Sequence, residues 1–508
     1  MPYYLWDVKS KRTRVVQEIT EALGSSPEYV AVSHTWGRWR KQDEWTSLSG
    51  VPWRIPQNSR FKVERLPEIL QDLPYDFVWL DLLTIPQEET SPAMVEIQKV
   101  EISRQTQIFR FASNVIAWLN DVPLWDGVQA SLHWLCLAFL KQEGRNEITP
   151  SHSVDSLLKT PPNVAMFNEL YENLGLPGFH PNAWFTSLWT LQEVCLRPDM
   201  LICNVKWEPL TIANDTCVSL VEIVALVRGT VSQLDCLQPP FGVRSLHGLV
   251  INMGLLYILQ LSPPFILWMG NSRQCLHRRA EAIMSALGTT DWFQTSPTEE
   301  REQDLVLNVY PLAFLNEVRR KIGSGVFFSS GVDPSYKSDT VLLEFCRTPS
   351  GYTGKLDAVG SLLPMGLGAG ATTDDSNALS HYVEHPAVKS WIIEKSGSVR
   401  IREAGILSSE VMALGGQDWY VDGPSAEKDW NTISPQKRVD LQDWISSYKP
   451  MMPNYAVCIF QSPPVNSIRG VILKEIRPGV LIRVGVFVGY TAEVDVHIES
   501  QPVDWLVL

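Results

Sequence analysis

Three short apolar runs constrain the fold of this chain more than any other feature: Tyr29 to Ser33 (YVAVS), Phe77 to Leu83 (FVWLDLL) and Asn114 to Leu119 (NVIAWL). Each has the length and the β-branched and aromatic content of a buried strand. Between them, residues 66–72 (LPEILQD) read as a short helix. Val95 to Ala112 has helical spacing, with Ile97, Ile102, Ile108 and Phe111 on the apolar side. Strand, helix, strand, helix, strand at these lengths implies parallel pairing through right-handed crossovers. Ligands of open parallel sheets collect at the carboxyl ends of the strands. Ser33, His34, Trp36, Gly37 and Asp81 all fall at that edge, whereas a random scatter would put half of them at the other.

A fourth stretch, Asn182 to Arg197 (NAWFTSLWTLQEVCLR), reads as one amphipathic helix ended by Arg197-Pro198. Its apolar residues Trp184, Leu188, Leu191 and Cys195 recur at three- and four-residue steps. Glu193 lies off that stripe, beside Gln192 and four residues after Trp189. A carboxylate on the edge of an apolar helix is either a solvated surface group or a group at work in a cleft, and the helix alone favours the solvated reading.

At 508 residues the chain exceeds what one core usually holds, so two or three domains are expected. Hydrophobic residues at 45% and charged residues at 19% describe a globular protein. A net charge of −13 with no basic run argues against nucleic acid or an anionic membrane surface as partner. The eight cysteines include no CxxC pair and no zinc-ligand spacing, which reads as reduced thiols in a cytoplasmic chain without metal. The first residues lack the apolar core of a signal peptide. Gly248 to Gly270 carries no charge, but Asn252, Gln260 and Pro263-Pro264 interrupt it, so a buried helix and turn fit better than a membrane span.

Further along, residues 122–165 are polar around a short helix, Ala130 to Lys141; a strand (MLICN) follows Pro198, and residues 213–290 look mostly helical. Residues 291–350 are mixed, with glycine and serine gathered at 323–331. Short apolar runs then alternate with glycines: Ala456 to Phe460, Gly470 to Glu475, Val480 to Val488 and Val494 to Ile498. They read as antiparallel strands of a smaller β-rich domain. The chain thus divides into an α/β domain near 1–290, a connector at 291–350 and a β-rich domain at 351–508.

The motifs SHTWG (33–37), WLDLLTIPQ (79–87) and LWTLQE (188–193) occur in the order and spacing of the heterokaryon-incompatibility (HET) domain, which this chain resembles. QTQIFRFASNVIAWL (105–119), SRQCLHRRAEAIMSALG (272–288) and the close RGVILKEIRPGVLIRVGVF are similar to further family elements. Three departures stand out. The cysteine and aspartate of the second family motif are Thr84 and Pro86, and the arginine usual two residues before the tryptophan of the third is Ser187. If that arginine held phosphate, the donor here is another, with Arg38, Arg40 and Arg197 as candidates.

HET domains in turn resemble Toll/interleukin-receptor (TIR) domains, which have a flavodoxin-like parallel sheet and, in their enzymatic branch, hydrolyse NAD. The TIR glutamate stands four residues after a tryptophan, and Trp189 to Glu193 has that step. The resemblance therefore makes Glu193 the candidate catalytic carboxylate and NAD, or a related nucleotide, the substrate, with no bound cofactor. It also implies a role in fungal self/non-self recognition or defence cell death, self-association, and an upstream sensor as partner. The chemistry is coherent. Breaking the nicotinamide–ribose bond develops an oxocarbenium-like ribosyl cation, which a fixed carboxylate stabilises, and the cationic leaving group needs no general acid.

The remaining positions each keep a plain alternative. Ser33 and His34 either contact ribose or phosphate or hydrogen-bond their own loop. Trp36 either stacks a base or plugs the sheet edge, and Gly37 serves the turn before it serves a ligand. Asp81 either positions water or Gln192, or braces the next loop; Trp189 is core or a ligand contact, and Gln87 fastens the neighbouring loop. Two patterns mislead. His381 to His385 fits HxxEH, but Pro386 disfavours helical geometry there. Gly366, Gly368 and Gly370 follow Pro364 and not a clear strand, which is a loop without nucleotide-binding spacing.

Overall fold

A computed structural model describes residues 1–35, 37–87, 91–144, 147–149, 152–159, 170–172, 180–212, 216–237, 239–261, 266, 269–270, 273 and 279–289 of the first part of the chain. Further on it describes 305–306, 310–311, 383–394, 399–407, 417–421, 454–462, 467–490 and 498–507. The chain forms two compact units, one of Met1–Cys275 and Ala282–Trp292, the other of Leu276–Glu281 and Phe293–Leu508.

The first unit is built on a six-stranded sheet. Its strands are β1 (Tyr4–Asp7), β2 (Arg12–Val15), β3 (Val30–His34), β6 (Phe77–Trp79), β7 (Asn114–Trp118) and β8 (Leu201–Cys203), with a separate hairpin β4–β5 (Arg40–Ser47, Arg54–Asn58) between β3 and β6. The order across the sheet is β8-β7-β3-β6-β1-β2. β3 pairs parallel with β6 and β7, and β7 with β8, as the strand–helix alternation implies. β1 runs antiparallel to both β6 and β2, so the sheet is mixed. The N-terminal hairpin is invisible to periodicity because its strands are four residues long and the second, RTRV, is polar. Gly50 (φ +86°) supports that edge: a Cβ there would lie 2.1 Å from the Lys11 carbonyl oxygen.

Alternation along the strands sorts the core into two faces. Val30, Val32, Val78, Ile116 and Trp118 pack toward Ile55, Val63 and Leu66 in one cluster. The opposite face carries Ser33 and Trp79; the Trp79 ring meets Phe109 edge-on, 5.4 Å between centroids, from helix α3 (Pro92–Phe111). Ser91 caps α3 by accepting from the Met94 amide at 3.3 Å, with Pro92 at the first helical position. Helices α4 (Asp126–Gln142), α7 (Leu220–Leu237) and α8 (Phe241–Asn252) pack on one another. No helix among the described residues is long and apolar enough to cross a membrane.

Several expectations need correction. The run FVWLDLL leaves the strand after Trp79 and turns at once into the short helix α2 (Asp81–Thr84), because the Asp81 carboxylate accepts from Leu82 N and Thr84 Oγ1 donates to Leu80 O. On α3 it is Phe109 that is buried while Phe111 is 62% exposed; the inward stripe runs through Glu101, Ile108 and Phe109. The stretch 182–197 is two helices, α5 (Ala183–Thr186) and α6 (Trp189–Leu196), broken where Ser187 is extended (φ −77°, ψ 132°). The last strand begins at Ser500, after Ile498, and residues 494–497 lie outside the described residues. Most of 291–350 and the glycines at 366–370 lie outside them too.

In the second unit, β9 (Val399–Ile406), β10 (Asn454–Ser462), β11 (Ser467–Arg477), β12 (Val480–Tyr490) and β13 (Ser500–Val507) pair in a closed ring, β9-β10-β11-β12-β13-β9. Every pair is antiparallel except β12–β13, which is parallel at Val480–Leu506 and Leu481–Val507. Closure pairs each of these five strands on both sides. His385 is buried here, its Nε2 2.8 Å from the Ile498 carbonyl and its Nδ1 accepting from the Ala387 amide at 3.3 Å. It is a structural residue, and His381 lies outside the described residues. Among the described residues no group of three or more His, Cys, Asp or Glu is placed to hold a metal.

Candidate functional site

The carboxyl ends of β3 and β6 deliver Ser33, His34 and Asp81 to one rim, and α6 brings Glu193 to it. Ser33 and His34 are consecutive, so they leave opposite faces of the sheet. Ser33 is fully buried (0% exposed) on the helix-covered side, where the Trp184 indole N–H donates to its Oγ at 2.7 Å. Ser33 also favours the charged form of the Glu193 carboxyl. His34 lies on the other side between Phe61 and Trp118, and its Nε2 is 2.7 Å from Asp81 Oδ1. The His34 side chain is 1% exposed, while that of Asp81 is 22% exposed. Asp81 is thus the open member of the pair, held from behind.

Glu193 is strongly altered by its surroundings. Burial pushes its carboxyl up to about 8; Ser33 and Arg273 pull it down, and the neighbouring Asp81 pushes it further up. Its residue surface is only partly covered, but the Oε2 atom is enclosed and has no hydrogen-bond partner. His34 Nδ1 and Thr35 Oγ1 are likewise enclosed without partners. Three orphaned polar atoms at one rim are unusual, because buried polar groups are nearly always satisfied and each unsatisfied one costs about 1–3 kcal/mol.

Other expected positions are placed less directly. Both ends of the Gln192 amide are engaged: Nε2 donates to Thr106 Oγ1 at 2.6 Å, and Oε1 accepts from Ser285 Oγ at 2.6 Å. Gln192 therefore ties α3 to α9 (Arg279–Leu287). Trp189 is half-buried, and Gly37 is exposed with open space where a Cβ would be. Gln87 donates from Nε2 to the Asp81 and Ile85 carbonyls, both at 3.0 Å, which fastens the loop as its motif implies. Trp36 lies outside the described residues.

Arg273 is the residue missed by motif reading. It is 2% exposed, and its Nη1 donates to the Ser187 carbonyl at 3.0 Å and to Thr190 Oγ1 at 2.9 Å. Burial lowers its guanidinium to about 10, while Cys195 and Glu193 raise it. It thus reaches the position where the resembling family carries an arginine and this chain has Ser187. Of the substitutes considered, Arg197 is engaged by the Phe109 and Ala112 carbonyls and Asp199, and Arg40 lies over the Trp45 ring. The Arg38 side chain is outside what is described. Arg273 lies in the segment 272–288, but nothing local in the sequence says that it folds back across 86 residues onto Ser187.

These features define an α/β domain with an acidic site at the carboxyl ends of its parallel strands. Residues 29–193 match the family model "Heterokaryon incompatibility protein (HET)"; the matched span opens just before β3 and closes on Glu193 itself. The chain is also similar to heterokaryon incompatibility protein 6, OR allele, of Neurospora crassa, at 25% identity over 214 residues. That match covers 37% of this chain and 30% of the length of the relative. No solved structure matches the chain.

Proposed function

We propose that this HET-domain protein acts in self/non-self recognition by hydrolysing the nicotinamide–ribose bond of NAD once it has assembled, on a sheet of TIR-like kind. The observation that carries the reading is the placement of Glu193: its charge is set by Ser33 and the field of Asp81 at the carboxyl edge of the sheet, with Oε2 unpartnered. Among the described residues no ion pair holds it. Ionised, the Glu193 carboxylate stabilises the developing ribosyl cation by its field, and Asp81, oriented by His34, presents a second acid to the ribose hydroxyls or to water. A proton on Glu193 keeps the single chain at rest, which fits an activity released by assembly. Free thiols at Cys136, Cys195, Cys203, Cys217 and Cys458 support a reducing, cytoplasmic setting.

Nicotinamide release from NAD by the full chain, assembled at high protein concentration, tests the reading against Glu193→Gln. The variant is expected to lose turnover by about 10²–10³-fold with unchanged circular dichroism. Equal release by both proteins, or none by the assembled wild type, overturns the hydrolase and leaves a module that signals by association alone.

A further inference from the structure

We propose that His34 is a positioning residue that fixes one oxygen of Asp81 at the rim, and that an aromatic column ending on Trp207 fixes His34 in turn. The proposal rests on the reading of Asp81 as the second acid of the hydrolase. One residue from each of four neighbouring strands builds the arrangement. Trp118 ends β7, His34 ends β3 beside it in register, Asp81 follows β6 by two positions, and Trp207 stands in the turn after β8. The four residues therefore follow the carboxyl edge in the order of the sheet, β8-β7-β3-β6.

The His34 ring lies between Phe61 and Trp118, 6.3 and 5.9 Å between centroids, and its Nδ1 is enclosed without a partner. Nε2, 2.7 Å from Asp81 Oδ1, makes the ring's only hydrogen bond among the described residues. An aliphatic side chain would fill this slot without an unsatisfied nitrogen, so the bond to Asp81 is what the imidazole adds. Asp81 Oδ1 also accepts from Leu82 N at 2.7 Å. Two donors occupy both lone pairs of Oδ1, so Oδ2 is the oxygen through which Asp81 meets a ligand. Facing a carboxylate acceptor, Nε2 is the ring nitrogen that carries the proton.

Beyond Trp118 the column continues to Trp207, whose ring stacks on it with 4.7 Å between centroids and 13° between planes. The Trp207 backbone is left-handed (φ +65°), a strained conformation for so bulky a residue. Asn204 enforces it. Its Oδ1 accepts from the Lys206 and Glu208 amides at 2.9 and 3.1 Å, and its carbonyl accepts from Trp207 N at 3.0 Å. The indole nitrogens of Trp118 and Trp207 are enclosed without partners as well. Strain of this kind is retained where it places a side chain, and here it places the ring that closes the column.

The test is nitrogen-15 NMR of the full chain with labelled histidine, His34→Leu marking which signals belong to His34. The wild type is expected to hold the proton on Nε2 in a single tautomer. Trp207→Phe, which keeps a stacked ring, should preserve that spectrum. Trp207→Gly, which relaxes the backbone and removes the ring, should average it between tautomers; Phe61→Leu, on the other side of the imidazole, reads the same if that variant does not fold. Where NAD is turned over, His34→Leu and Asp81→Ala should each lower kcat by about 10²-fold, and the double variant by no more than either, as for groups acting as one unit. His34→Gln, which keeps a donor near Nε2, should recover part of the loss. A proton on Nδ1, a spectrum unmoved by loss of the neighbouring rings, or losses that multiply in the double variant overturn the proposal. The spectra need no turnover, so a chain that leaves NAD intact would fell the hydrolase while the His34–Asp81 pairing is decided on its own.

Discussion

Glu101 shows how strongly one buried carboxyl can tie stability to pH in this chain. It sits fully buried on α3, accepts from the Tyr3 amide, and has an enclosed Oε2 with no hydrogen-bond partner. Burial raises it from 4.5 to about 7, against the Tyr3 hydrogen bond and Arg104, which lower it. The folded chain therefore holds a proton that the unfolded chain has released. The stabilisation is complete below the unfolded value and is lost as pH climbs through about 7. Glu101→Gln keeps an oxygen for Tyr3 and removes the titration, so its melting temperature should gain on that of the wild type between about pH 5 and pH 8. Parallel thermal curves at the two pH values would show that Glu101 carries no extra proton. No residue pattern announces this: an acid in an otherwise regular helical spacing reads as the wet face, and only packing shows that the inward stripe passes through it. Ser33 shows the same limit: its strand is legible in the sequence, but the indole 151 residues away that donates to its oxygen is not.

At the scale of elements, the parallel strands and α3 were legible because burial on both faces leaves continuous apolar runs and helical spacing survives in twenty residues. The break in the 182–197 stretch was not legible. Its apolar residues keep helical spacing across the break and all are buried: Trp184, Leu188, Leu191 and Cys195. The interruption comes from tertiary hydrogen bonds, chiefly those at Thr190, which is buried and bonded to the Trp184 carbonyl, the Ser187 carbonyl and Arg273. Thr190→Val preserves shape and removes all three, leaving buried polar groups unsatisfied, so a loss of about 1–3 kcal/mol is expected in urea unfolding. The same change should disturb the approach of Trp184 to Ser33, which near-ultraviolet circular dichroism would register. A neutral effect would mean that packing alone holds the break.

At the scale of the whole molecule, the proposed hydrolysis depends on charge. With Glu193 near 8 in the single chain, about a tenth of molecules carry the carboxylate at pH 7. Turnover by dilute protein should therefore be low at neutrality and rise about tenfold toward alkaline pH. A net charge of −13 opposes self-association, and that repulsion weakens as salt shortens the Debye length to about 8 Å near 0.15 M. If assembly is the switch, NAD hydrolysis per chain should increase with protein concentration, more steeply at the higher salt. The pH curve should also move downward as assembly brings Glu193 into its charged form. Activity proportional to concentration, with one pH curve at every dilution, would show that the chain works alone and that the proton on Glu193, not association, sets its resting state.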